Sequence, residues 1–315
     1  MKRFIINIVN YFKINTIFVI ITNTFFEYMR KLIYLITLLF ASLLCFAQSD
    51  FEEIEKVQVD TVCFKYKFQQ GDLLIYRVES RDSIVFDDDI PLVRNRWERF
   101  IVKCDSVDKF GRFHLNLYFT DYSAVESKGE IKDVLRKSSP WINRKFYLVI
   151  DSVSNRIRSV AEDVTNAAVS PGGPYQPYLF FPFKQSCKVV NESWLVSSID
   201  TLVENSFPPA IVEHSNLIRA EDKIDTLGYS CIKFRFIRTG EATYQMTSEQ
   251  QSLQTNAIIN SGGRLFISSK FFVPVHFFQT IEQKLRVYFD EDNCRVGKHF
   301  TNTYFTLEEF VRKNN

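Results

Sequence analysis

Histidine, cysteine and clustered carboxylate are the residues here that could do chemistry, and their spacing decides which chemistry is open. The four histidines are His114, His214, His276 and His299, and no two share the H-E-x-x-H spacing that puts two imidazoles on one metal. A zinc site would have to be assembled from distant segments. His114 lies on the polar face of an alternating strand, and His276, between Val275 and Phe277, reads as a satisfied core or edge histidine. Cysteine and histidine occur together, but in no local pairing that would activate a thiolate. G-x-S-x-G, P-loop and G-x-G-x-x-G patterns are absent from the sequence. Asp87-Asp88-Asp89 offers hard oxygens to calcium, yet it lacks the alternating ligands and glycine of an EF-hand and reads as a solvated hairpin tip. Asn191-Glu192-Ser193 fits a glycosylation sequon, which matters only in a eukaryotic secretory path. The sequence thus nominates no catalytic residue, no metal site and no cofactor.

The six cysteines pose a question of compartment. Cys45 falls in an apolar leader, which leaves Cys63, Cys104, Cys187, Cys231 and Cys294. None stands in C-x-x-C spacing, so zinc-ribbon and thioredoxin readings fail. In an oxidising compartment disulfides are expected, and an odd number leaves one thiol over. Cys187–Cys231 is the expected bridge, because both flank one set of strands. The alternative is that several are small buried hydrophobes, which suits Cys104 and Cys231 in apolar segments.

The elements that must position any site are strands. Phe64 to Phe68, Phe113 to Leu117, Phe146 to Ile150 and Ile232 to Phe236 alternate apolar and polar residues, so each puts one face in a core. Turn signals separate them at Gln70-Gly71-Asp72, Asp108 to Gly111, Ser154-Asn155 and Leu227-Gly228. Helix is scarce. Ser127–Ser138 carries Ile131, Val134 and Leu135 at helical spacing, Ser248–Ile259 is a second candidate, and Thr306–Arg312 suits a short closing turn. The expected fold is mainly β with minor α: two related curved antiparallel sheet units, half-barrel or sandwich-like.

The relation between the units rests on order. Gly71-Asp72, Asp82-Ser83-Ile84, Ile90-Pro91, Asp105-Ser106-Val107 and Gly111 are answered by Asn191-Glu192, Asp200-Thr201-Leu202, Pro208-Pro209, Asp225-Thr226-Leu227 and Gly228. This predicts an internal duplication; the alternative is that any two meanders share a small vocabulary of strands and turns. The β-rich units are 48–168 and 187–315, joined by 169–186. Four prolines and two glycines in Ser170–Phe183 forbid helix or central strand, yet the segment is rich in aromatics. It reads as a loop tucked between lobes, or as the lip of a ligand cavity or a docking surface. In the second case Tyr175, Tyr178, Phe180, Phe181, Phe183 and Trp194 touch the ligand or partner.

Composition sets the class. The 315 residues are 46% hydrophobic and 15% aromatic, with 31 Phe and 14 Tyr but 10 Gly and 9 Pro, which excludes disordered and collagen-like chains. Lys and Arg (39) nearly balance Asp and Glu (37) with no basic run, which argues against a nucleic-acid partner. Met29-Arg30-Lys31, the apolar run Leu32–Phe46, and Cys45 and Ala47 before Gln48 have the layout of a signal peptide, 29–47, cleaved after Ala47 for export to the periplasm or beyond. Lipidation at Cys45 and an uncleaved membrane anchor are the alternatives. Residues 1–28 read as upstream sequence before a true start at Met29, or as a poor first membrane helix interrupted by Lys13 and several asparagines. Lys2, Arg3, Lys13, Arg30 and Lys31 against Glu27 make this leader basic and leave the remainder slightly acidic. Net charge therefore gives no attraction to DNA or anionic lipid.

With the leader, the Gly71-Asp72 strand opening, Asn191-Glu192-Ser193-Trp194 and the Gly228-Tyr229 hairpin, the chain resembles a group of uncharacterised exported bacterial proteins that carry a Gly-Asp/Glu-x-Trp motif in mid-chain. It departs from them at Asn191, where that group has glycine and its freedom at positive φ. The resemblance implies a curved antiparallel sheet similar to the periplasmic lipoprotein-carrier fold, an open half-barrel whose concave face can hold acyl chains. It implies no catalytic residue. The function expected is a non-enzymatic exported cell-envelope protein that binds a hydrophobic small molecule, a lipid or another envelope component. A structural or protein-interaction module using the 170–183 loop comes second, and a hydrolase without a recognisable motif third.

Overall fold

The computed structural model describes residues 30, 60–87, 89–161, 179–184, 186–202, 210–248, 251–290 and 293–312. The chain divides into two units, Met1–Gln58 and Val59–Asn315. Only Arg30 is described in the first, so the signal peptide and the upstream extension lie outside the described residues, as do Tyr175, Tyr178 and Asp88.

The named elements of the second unit are all strands: β1 (Thr61–Cys63), β2 (Leu73–Phe86), β3 (Leu92–Val107), β4 (Phe113–Lys128), β5 (Ile131–Arg136), β6 (Phe146–Ile150), β7 (Arg156–Ala161), β8 (Cys187–Val189), β9 (Ser193–Leu202), β10 (Ala210–Thr226), β11 (Tyr229–Ser248), β12 (Gln251–Ser268), β13 (Pro274–Tyr288) and β14 (Cys294–Val311). Twelve form one antiparallel sheet in the order β7-β6-β4-β3-β2-β14-β13-β12-β11-β10-β9, with β5 on β4. The sheet curls into a nearly closed barrel, and β1 and β8 make a small second sheet. The last strand, β14, pairs with β2, so both halves of the sequence join edge to edge in one sheet.

The expected helices are strand. Ser127–Ser138 is the end of β4, the Gly129 turn and β5, whose Ile131 and Leu135 are exposed. Helical spacing there has no core to face. Ser248–Ile259 runs through the β11–β12 hairpin with Leu253, Ala257 and Ile259 on the inner face, and Thr306–Arg312 prolongs β14 along β2 rather than turning.

The two halves share local geometry where their signals match. Gly71 (φ 87°) and Asn191 (φ 68°) both sit in the left-handed region. Their N–H groups donate to the carbonyls of Cys104 and Ala220, each at 2.8 Å. A register shift follows Cys104 in one ladder and Ala220 in the other. Asparagine's short polar side chain tolerates this conformation, so the turn forms without glycine.

Along each long strand the inner face changes character. Leu74, Tyr76 and Val78 of β2 give way to Ser80 and Asp82; Phe305 of β14 gives way to Thr303, Thr301 and His299; Phe234 and Phe236 of β11 give way to Arg238. All of these are buried. The barrel thus has an aromatic half and a half with buried polar and charged groups, the polar half, which also buries Ala242, Tyr244, Ile281 and Leu285.

Two irregular segments fill the aromatic half. Phe64, Tyr66 and Phe68 alternate inward from the stretch after β1, and Leu179, Phe180, Phe181 and Phe183 pack beside them. The Phe64 and Phe183 rings are 4.0 Å apart by centroid, and Phe181 meets Phe236 at 4.8 Å. Tyr66 Oη donates to Leu179 O (3.2 Å) and accepts from Phe181 N–H (2.9 Å), which satisfies the polar atoms of the plug. Each buried aromatic contributes about 1.5–3 kcal/mol.

A Cys63–Cys187 disulfide ties the two plug segments together where β1 meets β8. The expected Cys187–Cys231 bridge is not formed: Cys231 is buried in β11 as a free thiol, with its side chain near the Tyr229 carbonyl. Cys104 is also free and buried, and burial pushes its thiol up to about 12 and that of Cys231 to about 11. The disulfide is consistent with an oxidising, exported compartment. It closes a sequence separation of 124 residues, so a C63S/C187S variant should lose about 2–4 kcal/mol in urea unfolding. A non-reducing peptide map should show the Cys63–Cys187 pair, with Cys104, Cys231 and Cys294 free.

Candidate binding face

The residues expected to touch a ligand or partner divide by location. Phe180, Phe181 and Phe183 are plug residues, and Trp194, on the inner face of β9, donates from Nε1 toward Pro182 O (3.5 Å). All four are core, because they fill a barrel end that long strands leave open. They form no lip or outer surface. Asp87 and Asp89 do lie at a hairpin tip, paired with Arg295 (2.6 Å) and Lys128 (2.6 Å).

Sequence reasoning missed the buried charges of the polar half. Asp82 accepts from Arg96 Nε (2.6 Å), Arg94 Nε (2.8 Å) and Thr301 Oγ1 (2.7 Å), and Arg96 also reaches Glu98 (2.7 Å). Trp141 Nε1 donates to Glu98 (3.0 Å). Burial raises the Asp82 carboxyl, but Arg96, His299 and Arg94 together hold it well below the usual range. Burial dominates at Glu98 and raises it. His299 is kept neutral by burial, with Nε2 2.8 Å from Thr301 Oγ1 and 3.4 Å from Asp82. A relay needs the acid on one ring nitrogen and the nucleophile on the other. Here both oxygens share Nε2, so the cluster is a rivet between β2, β3 and β14. Among the described residues no group of His, Cys, Asp and Glu could hold a metal ion.

Across the two halves Arg156 of β7 meets Asp200 of β9 at 2.6 Å, joining the two ends of the strand order. His214 of β10 lies 2.9 Å from Ser198 Oγ, and burial, with the charges of Arg238 and Arg156, lowers its pKa to about 3.

The outer face of β9–β12 is unlike the rest of the surface. Leu195, Leu217 and Ile237 are direct register partners on adjacent strands and are 58%, 46% and 56% exposed. Two residues up each strand Ser197, Ser215 and Thr239 form a polar tier, and beyond it lie Ile199, Glu213, Glu241 and Ile258. A depression of about 810 Å³ opens among these residues. A second, of about 420 Å³, shares Glu241 and Ile258 and carries the groove on to Lys284 and Arg286. Glycine allows the bend. A Cβ at Gly240 would collide with the Glu213 carbonyl, and one at Gly263 with the Phe278 carbonyl, so the ladders approach closely there. Alternation shows which of these residues face outward, but not that their neighbours across three strands are also aliphatic, because that depends on register.

Comparison with known proteins returns no match: no family profile and no curated protein aligns with the chain. Fold and face therefore define the class on their own terms, as a nearly closed antiparallel barrel with an aromatic core at one end and an outward groove.

Two expectations follow. Asp82→Asn should cost about 3–5 kcal/mol in chemical denaturation, because it leaves buried Arg96 with Glu98 alone as its charged partner. Acid should also destabilise the fold through His214. Its folded pKa is depressed, so the unfolded chain binds the proton first as pH falls below the free-histidine range near 6.5. Stability should drop by about 1.4 kcal/mol per pH unit from there toward pH 3, and His214→Gln should flatten that limb.

Proposed function

We propose that the chain is an exported, non-enzymatic binding protein of the cell envelope, with the outer face of β9–β12 as its working surface. The Met29–Ala47 leader would supply export and be removed after Ala47. The observation that carries the reading is the contiguous aliphatic tier beside an open groove, on a molecule whose aromatic half is filled by its own plug. The occupant is another envelope component held on the outside, in preference to an acyl chain held within. The polar half does not favour an internal acyl chain either, since Arg96, Arg238, Asp82 and Gln283 point into it.

The test is cosedimentation of the purified protein with isolated envelope fragments. L217S/I237S should leave Tm within a degree or two and cut the bound fraction about tenfold. Unchanged retention by that variant sinks the reading. A large fluorescence rise with the neutral apolar probe N-phenyl-1-naphthylamine, abolished by Phe181→Ala but not by L217S/I237S, would favour an internal apolar ligand instead.

A further inference from the structure

Directly below the aliphatic tier lies a row of like charges. Arg219 of β10 is the register partner of Arg235 of β11, and Arg235 is the partner of Arg264 of β12. Three arginine side chains therefore leave adjacent strands whose backbones are about 4.8 Å apart. Like charges directly opposite one another destabilise a sheet.

One carboxylate serves this group. Glu221 meets Lys233 at 2.7 Å, Arg235 at 2.8 Å and Arg219 at 3.3 Å. It is buried beneath them while Arg219 and Arg235 remain well exposed, so the face turned to solvent is positive. Arg264 is exposed and has no carboxylate within ion-pair distance among the described residues. Asp222 and Asp225 lie past the β10 register shift, toward the Leu227-Gly228 turn. Beyond β9 lies exposed Lys184, bonded to Leu195 O at 3.0 Å. At its other end Arg264 is opposite Phe278, whose ring lies 4.8 Å from that of Tyr304.

Elsewhere on the outer face several charges are neutralised locally, although Lys284 and Lys298 are also register partners. Arg77 meets Glu79 at 3.2 Å, Arg99 meets Asp121 at 3.2 Å, and Lys103 meets Asp105 at 2.9 Å. Segregation of positive charge is thus a property of the second half, set by register and invisible in the near-neutral composition.

We propose that the Arg219–Arg235–Arg264 row binds a linear acidic polysaccharide laid across the strands. A single small anion would reach at most two of the guanidinium groups, whereas a chain bearing repeated carboxylate, sulfate or phosphate groups meets them all. Glu213 and Glu241 line the groove two tiers away, so the acidic chain follows the arginine row and stays clear of the groove. Phe278 and Tyr304 offer apolar ring faces at the end of the row. This inference rests on the working face proposed above and names the class of component it holds.

The probe is a heparin octasaccharide, titrated against the whole protein at several NaCl concentrations. Binding should weaken as salt rises, in proportion to about three released counterions. Arg235→Gln and Arg264→Gln should each weaken it about fivefold and together should also reduce envelope cosedimentation. Arg81→Gln, the same charge change on the outer face of β2, should leave it within a factor of two. Equal losses with Arg81→Gln would reduce the effect to general charge and overturn the proposal. So would competition by inorganic phosphate at matched charge, or equal affinity for an oligothymidylate. The two readings fail separately: the polysaccharide is overturned if the arginine variants bind heparin normally, and the face only if L217S/I237S stays on the envelope.

Discussion

A barrel of this many strands encloses more space than its inward side chains fill, since filling from the wall alone works best near eight strands. The aromatic plug answers that constraint. Phe64, Tyr66, Phe68, Phe180, Phe181 and Phe183 come from two stretches that are not strand, and they give the inner rows of both halves a common surface to bury against. The disulfide fastens the two stretches at one point, so the plug also links the first half of the sequence to the second.

The polar half solves the same problem differently. Arg96 links Asp82 to Glu98, Trp141 caps Glu98, and Thr301 and His299 bring in β14. A buried ionic cluster adds little net stability over an apolar core, but removing one member is costly. Its effect is on register. A one-residue slip of β2 against β3 or β14 would turn Asp82 outward and strand Arg96 in the interior. The second half follows the same plan with different residues, as Asp200 and His214 also face inward.

The halves diverge on the outside. In the first, acid and base alternate and neutralise each other within single contacts. In the second, aliphatic residues form one tier, arginines another and glutamates a third. The two halves share the turns at Gly71 and Asn191 and the register shifts after Cys104 and Ala220, while their outer faces carry different residues. Of the aromatic residues expected to line a concave interior, Phe180, Phe181, Phe183 and Trp194 are instead buried in the core.

Much of the architecture was legible in the sequence. Phe113 to Leu117 and Ile232 to Phe236 announce their strands, because apolar alternation is a property of neighbours in sequence. The turns at Gly71 and Gly228, and the parallel order of signals in the two halves, are equally local. The polar ends of the strands were not legible. Asp82, Arg96 and Gln283 alternate with other polar residues, so nothing local marks them as inward. Burial of a charge depends on a partner brought from a distant strand. The disulfide partner of Cys187, the core position of Phe180 to Phe183 and the juxtaposition of Arg219, Arg235 and Arg264 share that cause. The sequence by itself determined that this is a β protein with two matching halves. Only the tertiary structure decided which residues meet, because long-range register sets those distances and no single strand contains it.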